Sequence, residues 1–389
     1  MRSVQRPRHS PDGKRIATKT FEGEVEVMPT ARERKTAMAS KGSWSTAGKA
    51  QALRLCMLVV FVLTLGLGSL FASDQKTIVL VGAGSSVPVP LYKHWADDFN
   101  HSHSNIQLQY MPLGTTEGIK QIANNVSDFG AGEVLLSPEE RSSSNLVELP
   151  TALIGIVPIF NLPGQQELKF SGELLAEIYL GEVKMWNDPR IAKLNPGASL
   201  PNMALTVVYR PAGKGSNFVF TDFLSHASPK FRDRIGRTPS PKWPVGIPAE
   251  RSQDMADRVK NNPGYIGFVE FQYAEDNHIS FGSVLNPSGK YVKASMETIS
   301  AACRAVEGGD WSKFAVSLVS APGADSYPVS SFTWLYVPAT AKDAARAAAL
   351  NNLLNWMYSE GQKAVAQEGY PALPAPLLVK VKARANTLH

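Results

Sequence analysis

The sequence predicts an α/β protein made of repeated strand, loop and helix units. Short β-branched runs, such as residues 76–81 (KTIVLV) and Val207-Val208, are each followed by a Gly-containing loop and then by apolar residues at helical spacing. The 389 residues are too many for one simple core and fit two domains. A composition with 43% hydrophobic and 19% charged residues is typical of a soluble globular protein.

The most informative stretch is residues 207–224, VVYRPAGKGSNFVFTDFL. It reads as the end of a buried strand, a turn in which Gly213 and Gly215 can take positive φ, and a helix that Ser216 or Asn217 is expected to cap. A helix that begins in this way leaves several backbone N–H groups unpaired at the positive end of its dipole. The stretch therefore outlines an anion site.

Two cations belong to the same stretch. The planar fork of Arg210 is suited to bidentate contact with phosphate or carboxylate oxygens, and Lys214 adds a point charge. The motif around Lys214 is not a P-loop, because the Ser or Thr after the lysine and the earlier glycine are missing. Taken alone, the loop also fits an ordinary strand-to-helix turn with two solvated cations.

Three more loops carry the same chemistry. Residues 82–86 (GAGSS) follow the first strand, residues 114–117 (GTTE) follow a strand at residues 106–110, and Glu133 follows a short strand that starts at Asp128. Each loop offers amides, hydroxyls or a carboxylate, and together they suit a tetrahedral oxyanion held by many donors. A dinucleotide site is a weak alternative because the third glycine of GxGxxG is absent, and Glu133 alone could be an exposed loop acid.

The remaining elements are predicted from periodicity and turn signals. They comprise helices at residues 91–100, 171–180, 251–261 and 342–358, a short helix that starts at Asp188-Pro189, strands at 265–271 and 327–337, and a hairpin turn at 286–289.

The formal net charge of +6 comes from the N-terminal part of the chain. Of the 40 Lys and Arg residues 12 precede residue 73, and of the 34 Asp and Glu residues 5 do, so the remainder has 28 basic against 29 acidic residues. No basic excess remains there for nonspecific binding of nucleic acid.

An apolar run at residues 55–71 follows the basic residues Lys41, Lys49 and Arg54 and precedes the small residues Ala72 and Ser73, which is typical of a secretory signal. We expect cleavage near Ala72. We therefore expect residues 1–54 to be a disordered extension or a mis-assigned start, with translation beginning at Met38 or Met57, and residues 55–73 to be the signal core. An uncleaved membrane anchor is the alternative. With only Cys303 left after export, no intramolecular disulfide can form, which suits a periplasmic location.

Chemical catalysis is not indicated. His101 and His103 lack a nearby third ligand, and no GxSxG motif or cluster of His, Asp and Glu appears. We expect no catalytic residues, no metal and no cofactor, and a monomeric protein.

Seven ordered segments together resemble the periplasmic phosphate-binding protein family of the bacterial phosphate ABC transporter, over almost all of residues 76–385. They are GAGSSVPVPLYKHWADDF (82–99), LGTTEGIKQIANNVSDFGAGE (113–133), IYLGEVKMWNDPRIAKLNPG (178–197), RPAGKGSNFVFTDFL (210–224), KWPVG (242–246), GYIGFVE (264–270) and YPALP (370–374).

The resemblance implies a two-lobed α/β binding protein of type II that closes on phosphate and delivers it to an inner-membrane ABC permease complex. The two crossing segments would lie near residues 157–161 and 329–335. Lobe one would be residues 76–157 plus 336–389, and lobe two residues 158–335. The ligand contacts that the resemblance implies are Ser86, the amide of Val87, Thr115, Glu133, Arg210, Lys214, Gly215 and Ser216.

Three positions depart from the family pattern. Glu133 replaces the Asp that accepts the proton of phosphate, Ala212 replaces an Asp that steadies the arginine, and Lys214 replaces a Ser. The site then has two cations against one acid, which predicts tight anion binding with looser selectivity. One alternative is a different ligand, either another tetrahedral oxyanion or a phosphonate. A second is a role as a membrane-tethered phosphate sensor, and a phosphate-ester enzyme is the least favoured.

Overall fold

A computed structural model describes residues 77–164, 167–309, 311, 314 and 316–388. The predicted extension (1–54) and signal core (55–73) lie outside these described residues, so both stay predictions. Within the described part of the chain, no helix is long and apolar enough to cross a membrane.

The described residues form strands that are mostly short. They are β1 (Ile78–Gly84), β2 (Ile106–Met111), β3 (Phe129–Gly132), β4 (Leu146–Phe160), β5 (Lys169–Phe170), β6 (Thr206–Tyr209), β7 (Ile247–Pro248), β8 (Tyr265–Glu270), β9 (Ser283–Leu285), β10 (Tyr291–Val292) and β11 (Ser330–Pro338).

Helices separate most of the strands. They are α1 (Val89–Ser102), α2 (Thr115–Ala123), α3 (Pro138–Ser144), α4 (Gly172–Tyr179), α5 (Pro189–Leu194), α6 (Gly215–Ala227), α7 (Pro229–Arg234), α8 (Ser252–Lys260), α9 (Phe271–Asp276), α10 (Met296–Ala305), α11 (Ala344–Trp356), α12 (Gln362–Val365) and α13 (Ala375–Ala385), with a π-helical turn at Met357–Gly361 between α11 and α12.

The predicted α/β class is confirmed by a mixed sheet of eight strands in the order β2-β1-β3-β11-β4-β8-β6-β7. β1 is parallel to β2 and β3, and β6 is parallel to β7 and β8, whereas β4 and β11 run antiparallel to their neighbours. In such a sheet the loops that leave the carboxyl ends of parallel strands share one edge, which is where ligands bind in open α/β folds. A smaller sheet, β10-β9-β5, contains the predicted hairpin turn.

Strand β4 joins the two halves of the large sheet. Its first part, residues 146–155, pairs with β11, and its last part, residues 156–160, pairs with β8. All 15 of its residues are buried. The two predicted crossing segments fall on β4 and β11, while the lobe limits stay predictions.

Most predicted elements are confirmed, but the first loop is shorter than predicted. Residues 82–84 continue β1 instead of starting the loop, because Gly82 and Gly84 pair with β3. A Cβ atom on Gly82 would lie 2.1 Å from the Phe129 ring, and one on Gly84 would lie 2.0 Å from the Ala131 carbonyl oxygen. The glycines therefore allow close strand packing, and only Ser85 and Ser86 remain to form the loop.

A buried carboxylate links β1 to the later helix α11. The Asp128 side chain is 6% exposed and accepts hydrogen bonds from the Val81 amide at 2.9 Å and from Arg346 Nη1 at 2.7 Å. Lys342 Nζ adds a contact at 3.4 Å. Segments more than 200 residues apart in sequence are thus connected at one side chain.

We expect Asp128→Ala to lower the free energy of unfolding by about 3 kcal/mol, because it leaves two cations and a backbone donor without their partner. Urea denaturation measures the change, and Asp97→Ala, at an exposed position of α1, is the control. A loss no larger than that of the control would contradict this role for Asp128.

Candidate functional site

Glu133 lies immediately after β3 and is the most enclosed acid of the candidate site, with only 1% of its surface exposed. Its Oε2 accepts hydrogen bonds from the hydroxyls of Ser85 at 2.8 Å and Thr115 at 3.3 Å. Its Oε1 accepts one from the Thr333 hydroxyl at 3.2 Å. The possibility that Glu133 is an exposed loop acid is therefore wrong, because three elements enclose it.

The environment of Glu133 changes its acidity. Burial raises the pKa of this carboxyl to about 8, and the nearby carboxylate of Glu270 acts in the same direction, while the three hydroxyl hydrogen bonds oppose the rise. The protonation state of Glu133 therefore changes close to neutral pH.

The loop after β1 is held by tyrosines through three consecutive carbonyl groups. The Tyr110 hydroxyl donates to the Ser85 carbonyl at 2.7 Å. The Tyr273 hydroxyl donates to the Ser86 carbonyl at 3.2 Å, and the Tyr370 hydroxyl donates to the Val87 carbonyl at 2.8 Å. The Val87 amide, which the family resemblance assigns to the ligand, donates to the Ser85 hydroxyl at 3.1 Å. These hydrogen bonds fix the loop in position without a ligand.

Arg210 extends from the end of β6 into the same region and is 2% exposed. Its Nη1 donates to the Ser252 hydroxyl at 3.1 Å, and its Nη2 donates to the Ser86 hydroxyl at 3.1 Å and to the Glu250 carbonyl at 2.9 Å. Its buried Nε has no partner among the described residues. Burial lowers the pKa of Arg210, and Glu270 opposes that shift.

Helix α6 begins at Gly215, with Lys214 as the N-cap residue and no side-chain cap. The expectation that Ser216 or Asn217 caps the helix is wrong. Both residues lie within the helix, and the Asn217 amide instead donates to carbonyl groups of the preceding loop, including that of Arg210 at 3.1 Å. The buried Ser216 hydroxyl has no partner among the described residues.

Gly215 brings the start of α6 against Glu133. A Cβ atom on this glycine would lie 1.8 Å from Glu133 Oε2 and 2.5 Å from Thr115 Oγ1, so a larger residue does not fit without a shift. The Glu133 carboxyl therefore faces the positive end of the helix dipole. A backbone hydrogen bond from Thr116 to the Gly213 carbonyl, at 3.1 Å, connects the same two loops.

Lys214 lies at the rim of this region. Its Nζ is 3.3 Å from Glu250 Oε2, and a Cβ atom on Gly114 would be 3.6 Å from the same Nζ. The expected excess of two cations over one acid is therefore wrong, because Glu250 pairs with Lys214 and a second acid, Glu270, lies near Arg210. Glu270 is 2% exposed at the end of β8.

The structure thus brings six of the predicted residues together and places Lys214 at the rim. The Val87 amide donates to the Ser85 hydroxyl of its own loop. The six are Ser86, Thr115, Glu133, Arg210, Gly215 and Ser216. Sequence reasoning missed Ser85, Ser252, Glu270 and Thr333. Two signals were available: Ser85 lies in the GAGSS loop that the sequence analysis names, and Glu270 is a lone acid that ends the apolar run GYIGFV.

The arrangement favours binding of an oxyanion. It combines a helix N-terminus, a buried guanidinium, several hydroxyls and a carboxyl that can donate or accept a proton. Among the described residues, no group of three or more His, Cys, Asp or Glu side chains could hold a metal ion.

Comparison with known proteins gives consistent matches. A family model described as "PBP superfamily domain" matches residues 71–361. The phosphate-binding protein PstS of Pasteurella multocida is 33% identical, over 82% of this chain and 93% of that protein. The protein of the same name from Haemophilus influenzae is 32% identical, over 84% and 97%.

Solved structures show the same fold at low sequence identity. A phosphate-binding protein from Stenotrophomonas maltophilia has a TM-score of 0.61 and 19% identity, and the match covers 79% of this chain and 94% of that one. An ABC-type phosphate transport receptor from Vibrio cholerae has a TM-score of 0.53 and 16% identity, covering 76% and 100%.

We expect the ligand-free protein to lose stability as the pH rises from about 4.5 to about 8. In this range the unfolded chain releases the Glu133 proton and the folded protein keeps it, because burial raises the pKa to about 8. Glu133→Gln should reduce the slope of the free energy of unfolding against pH, measured by urea denaturation.

Glu139→Gln, at an exposed position of α3, serves as the control and should leave this slope unchanged. Equal slopes in Glu133→Gln and in the unsubstituted protein would show that the Glu133 pKa is not raised.

Proposed function

The chain belongs to the PBP superfamily and, within it, to the family of phosphate-binding proteins named PstS, and on this premise we propose that it captures inorganic phosphate between two lobes and delivers it to an ABC importer. The observation that carries the proposal is the buried Glu133 carboxyl at the N-terminus of α6, beside Arg210. This arrangement pairs cationic and dipolar donors with one group that can accept the remaining proton of phosphate.

Two buried donors without partners support the assignment. Arg210 Nε and Ser216 Oγ are both enclosed and lack hydrogen bonds among the described residues, and leaving such groups unpaired is costly. Phosphate oxygens would satisfy them, together with the hydroxyls of Ser86 and Thr115 and the first amides of α6. Val87 and Lys214 would complete the set by a small rearrangement of the bonds they make here.

The binding energy that these groups offer is sufficient. Charge-assisted hydrogen bonds contribute roughly 1.5 to 3 kcal/mol each. Several of them, after the entropy of association and of lobe closure is subtracted, reach the roughly 8 kcal/mol of micromolar affinity. The proposed role needs no covalent step, so we assign binding and delivery without catalysis.

The wider role follows from the same premise. We assign a periplasmic location after export by the segment at residues 55–73, and an inner-membrane permease as the partner. The lobes would be residues 76–157 plus 336–389 and residues 158–335, joined by β4 and β11. We propose a monomer that closes on phosphate by a hinge motion.

The raised pKa of Glu133, about 8, predicts how the site discriminates phosphate from sulfate. Below this pH the protonated carboxyl donates to either anion. Above it, the carboxylate repels sulfate, which has no proton to donate, but accepts a hydrogen bond from the P–OH group of hydrogen phosphate. We therefore expect the ratio of phosphate to sulfate affinity to increase as the pH rises through about 8, and calorimetric titration of both anions measures it.

The matched variant is Glu133→Gln, whose amide can donate at every pH. We expect it to bind sulfate with little pH dependence across the same range. A selectivity that is flat with pH in the unsubstituted protein would contradict the discriminating role of Glu133, and absence of phosphate binding would overturn the proposed function.

We expect Gly215→Ala to weaken phosphate binding by about a hundredfold or more, because its Cβ would displace either Glu133 or the start of α6. Gly308→Ala is a suitable control, since a Cβ atom there meets nothing within 4 Å. Isothermal titration calorimetry gives both affinities, and an unchanged affinity in Gly215→Ala would show that the close approach is not needed for binding.

A further inference from the structure

The candidate site contains two buried acids but one buried cation. Glu133 and Glu270 are 1% and 2% exposed, and Arg210 is the guanidinium enclosed with them. Arg210 interacts electrostatically with both carboxyls. Lys214 does not change this balance, because it is paired at the rim with the exposed Glu250. An anion that enters therefore adds negative charge to a region that already holds two carboxyls, which is costly without protonation.

The two acids differ in their hydrogen bonds. Glu133 accepts from three hydroxyls, which favours its ionised form. Neither carboxylate oxygen of Glu270 has a partner at normal hydrogen-bond geometry among the described residues. Arg210 and Ser252 favour the ionised form of Glu270 before an anion enters, but a buried carboxyl with so few donors is costly to keep charged once an anion lies beside it. Glu270 is therefore the acid better suited to hold a proton when the anion is bound.

Ser252 connects Glu270 to the anion-binding groups. Its hydroxyl, fully buried at the start of α8, accepts from Arg210 Nη1 at 3.1 Å and lies 3.3 Å from the Ser86 hydroxyl. It is also close enough to Glu270 to favour the ionised form of that acid. A change in the charge of Glu270 therefore alters its electrostatic interaction with Arg210 and, through Ser252, the hydrogen bonds to the loop after β1.

We propose that Glu270 takes up a proton from solvent when an anion enters the cleft, and so balances the charge of the site. This inference rests on the proposed function and adds to it a second acid that nothing in the family resemblance assigned. The ligand class stays that of tetrahedral oxyanions. In the bound state the Glu133 carboxylate accepts a hydrogen bond from the P–OH group of hydrogen phosphate, while Glu270 is neutral.

The other titratable groups around Arg210 keep their charge state, so Glu270 is the group that takes up the proton. The tyrosines that face the two acids are Tyr92, Tyr110, Tyr273, Tyr336 and Tyr370, and burial raises the pKa of each, so they stay neutral. Asp254 also acts on Arg210, but its hydrogen bonds with Arg251 lower its pKa and keep it ionised. Burial raises the pKa of Glu270, and Arg210 opposes the rise.

The test counts protons taken up when phosphate binds. Calorimetric titration in buffers of different ionisation enthalpy gives this number at about pH 9, where free phosphate is almost entirely the dianion and Glu133 is mostly ionised. We expect an uptake that approaches one proton in the unsubstituted protein and about none in Glu270→Gln. Because the glutamine mimics the neutral acid, this variant should also bind phosphate about tenfold more tightly at that pH.

Two controls accompany the variant. Glu270→Asp keeps a titratable group and should retain most of the uptake. Glu148→Gln removes another buried glutamate, whose ion pair is with Arg141, and this variant should take up protons like the unsubstituted protein. Equal uptake in Glu270→Gln and the unsubstituted protein, or no uptake in either, overturns the inference. No binding of phosphate by the unsubstituted protein overturns the proposed function and the inference with it.

A second measurement does not depend on folding of Glu270→Gln. Carbon NMR of the side-chain carboxyls of the unsubstituted protein, with and without phosphate at about pH 9, should show one glutamate signal move to the protonated position. Glu133→Gln identifies the Glu133 signal, which must not be the one that moves. If no glutamate signal moves in that direction, the inference is wrong.

Discussion

The contact between the Glu133 carboxyl and the first residue of α6 is the constraint on which the rest of the site depends. A carboxyl that is 1% exposed must have donors or be neutral, and here it has three hydroxyls and faces the positive end of a helix. Gly215 is required for this approach because a Cβ atom would overlap the carboxyl. The contact therefore places a buried carboxyl and the unpaired amides of a helix N-terminus side by side.

The fold maintains this contact through elements that are far apart in sequence. Glu133 directly follows β3, which pairs with β11, the strand that contains Thr333. Strand β4 pairs with β11 over its first part and with β8, which ends at Glu270, over its last part. Three tyrosine hydroxyls hold the carbonyls of the loop after β1, and Arg210 reaches that loop from β6 through the Ser86 hydroxyl. Binding groups from both halves of the sheet are therefore positioned by buried hydrogen bonds.

Local chemistry made the loops and the helix start at residues 207–224 predictable, since glycines, a cation and hydroxyls there form one pattern. The α/β class was also predictable from alternating strand and helix periodicity. The cap of α6 was not, because the choice among Lys214, Ser216 and Asn217 depends on carbonyls of the preceding loop that accept from Asn217. Glu250 and Glu270 were missed because their relation to Lys214 and Arg210 is tertiary, so counting charges along the sequence gave a wrong balance.

A crystal structure of the protein with bound phosphate tests the central claim most directly. We expect phosphate oxygens within hydrogen-bond distance of Arg210 and the Ser216 hydroxyl, with the Glu133 carboxyl contacting one of them and the glycine at position 215 lining the site. Phosphate bound elsewhere, or a Glu133 side chain turned away from the ligand, would contradict the claim that this buried carboxyl and the N-terminus of α6 together form the anion site.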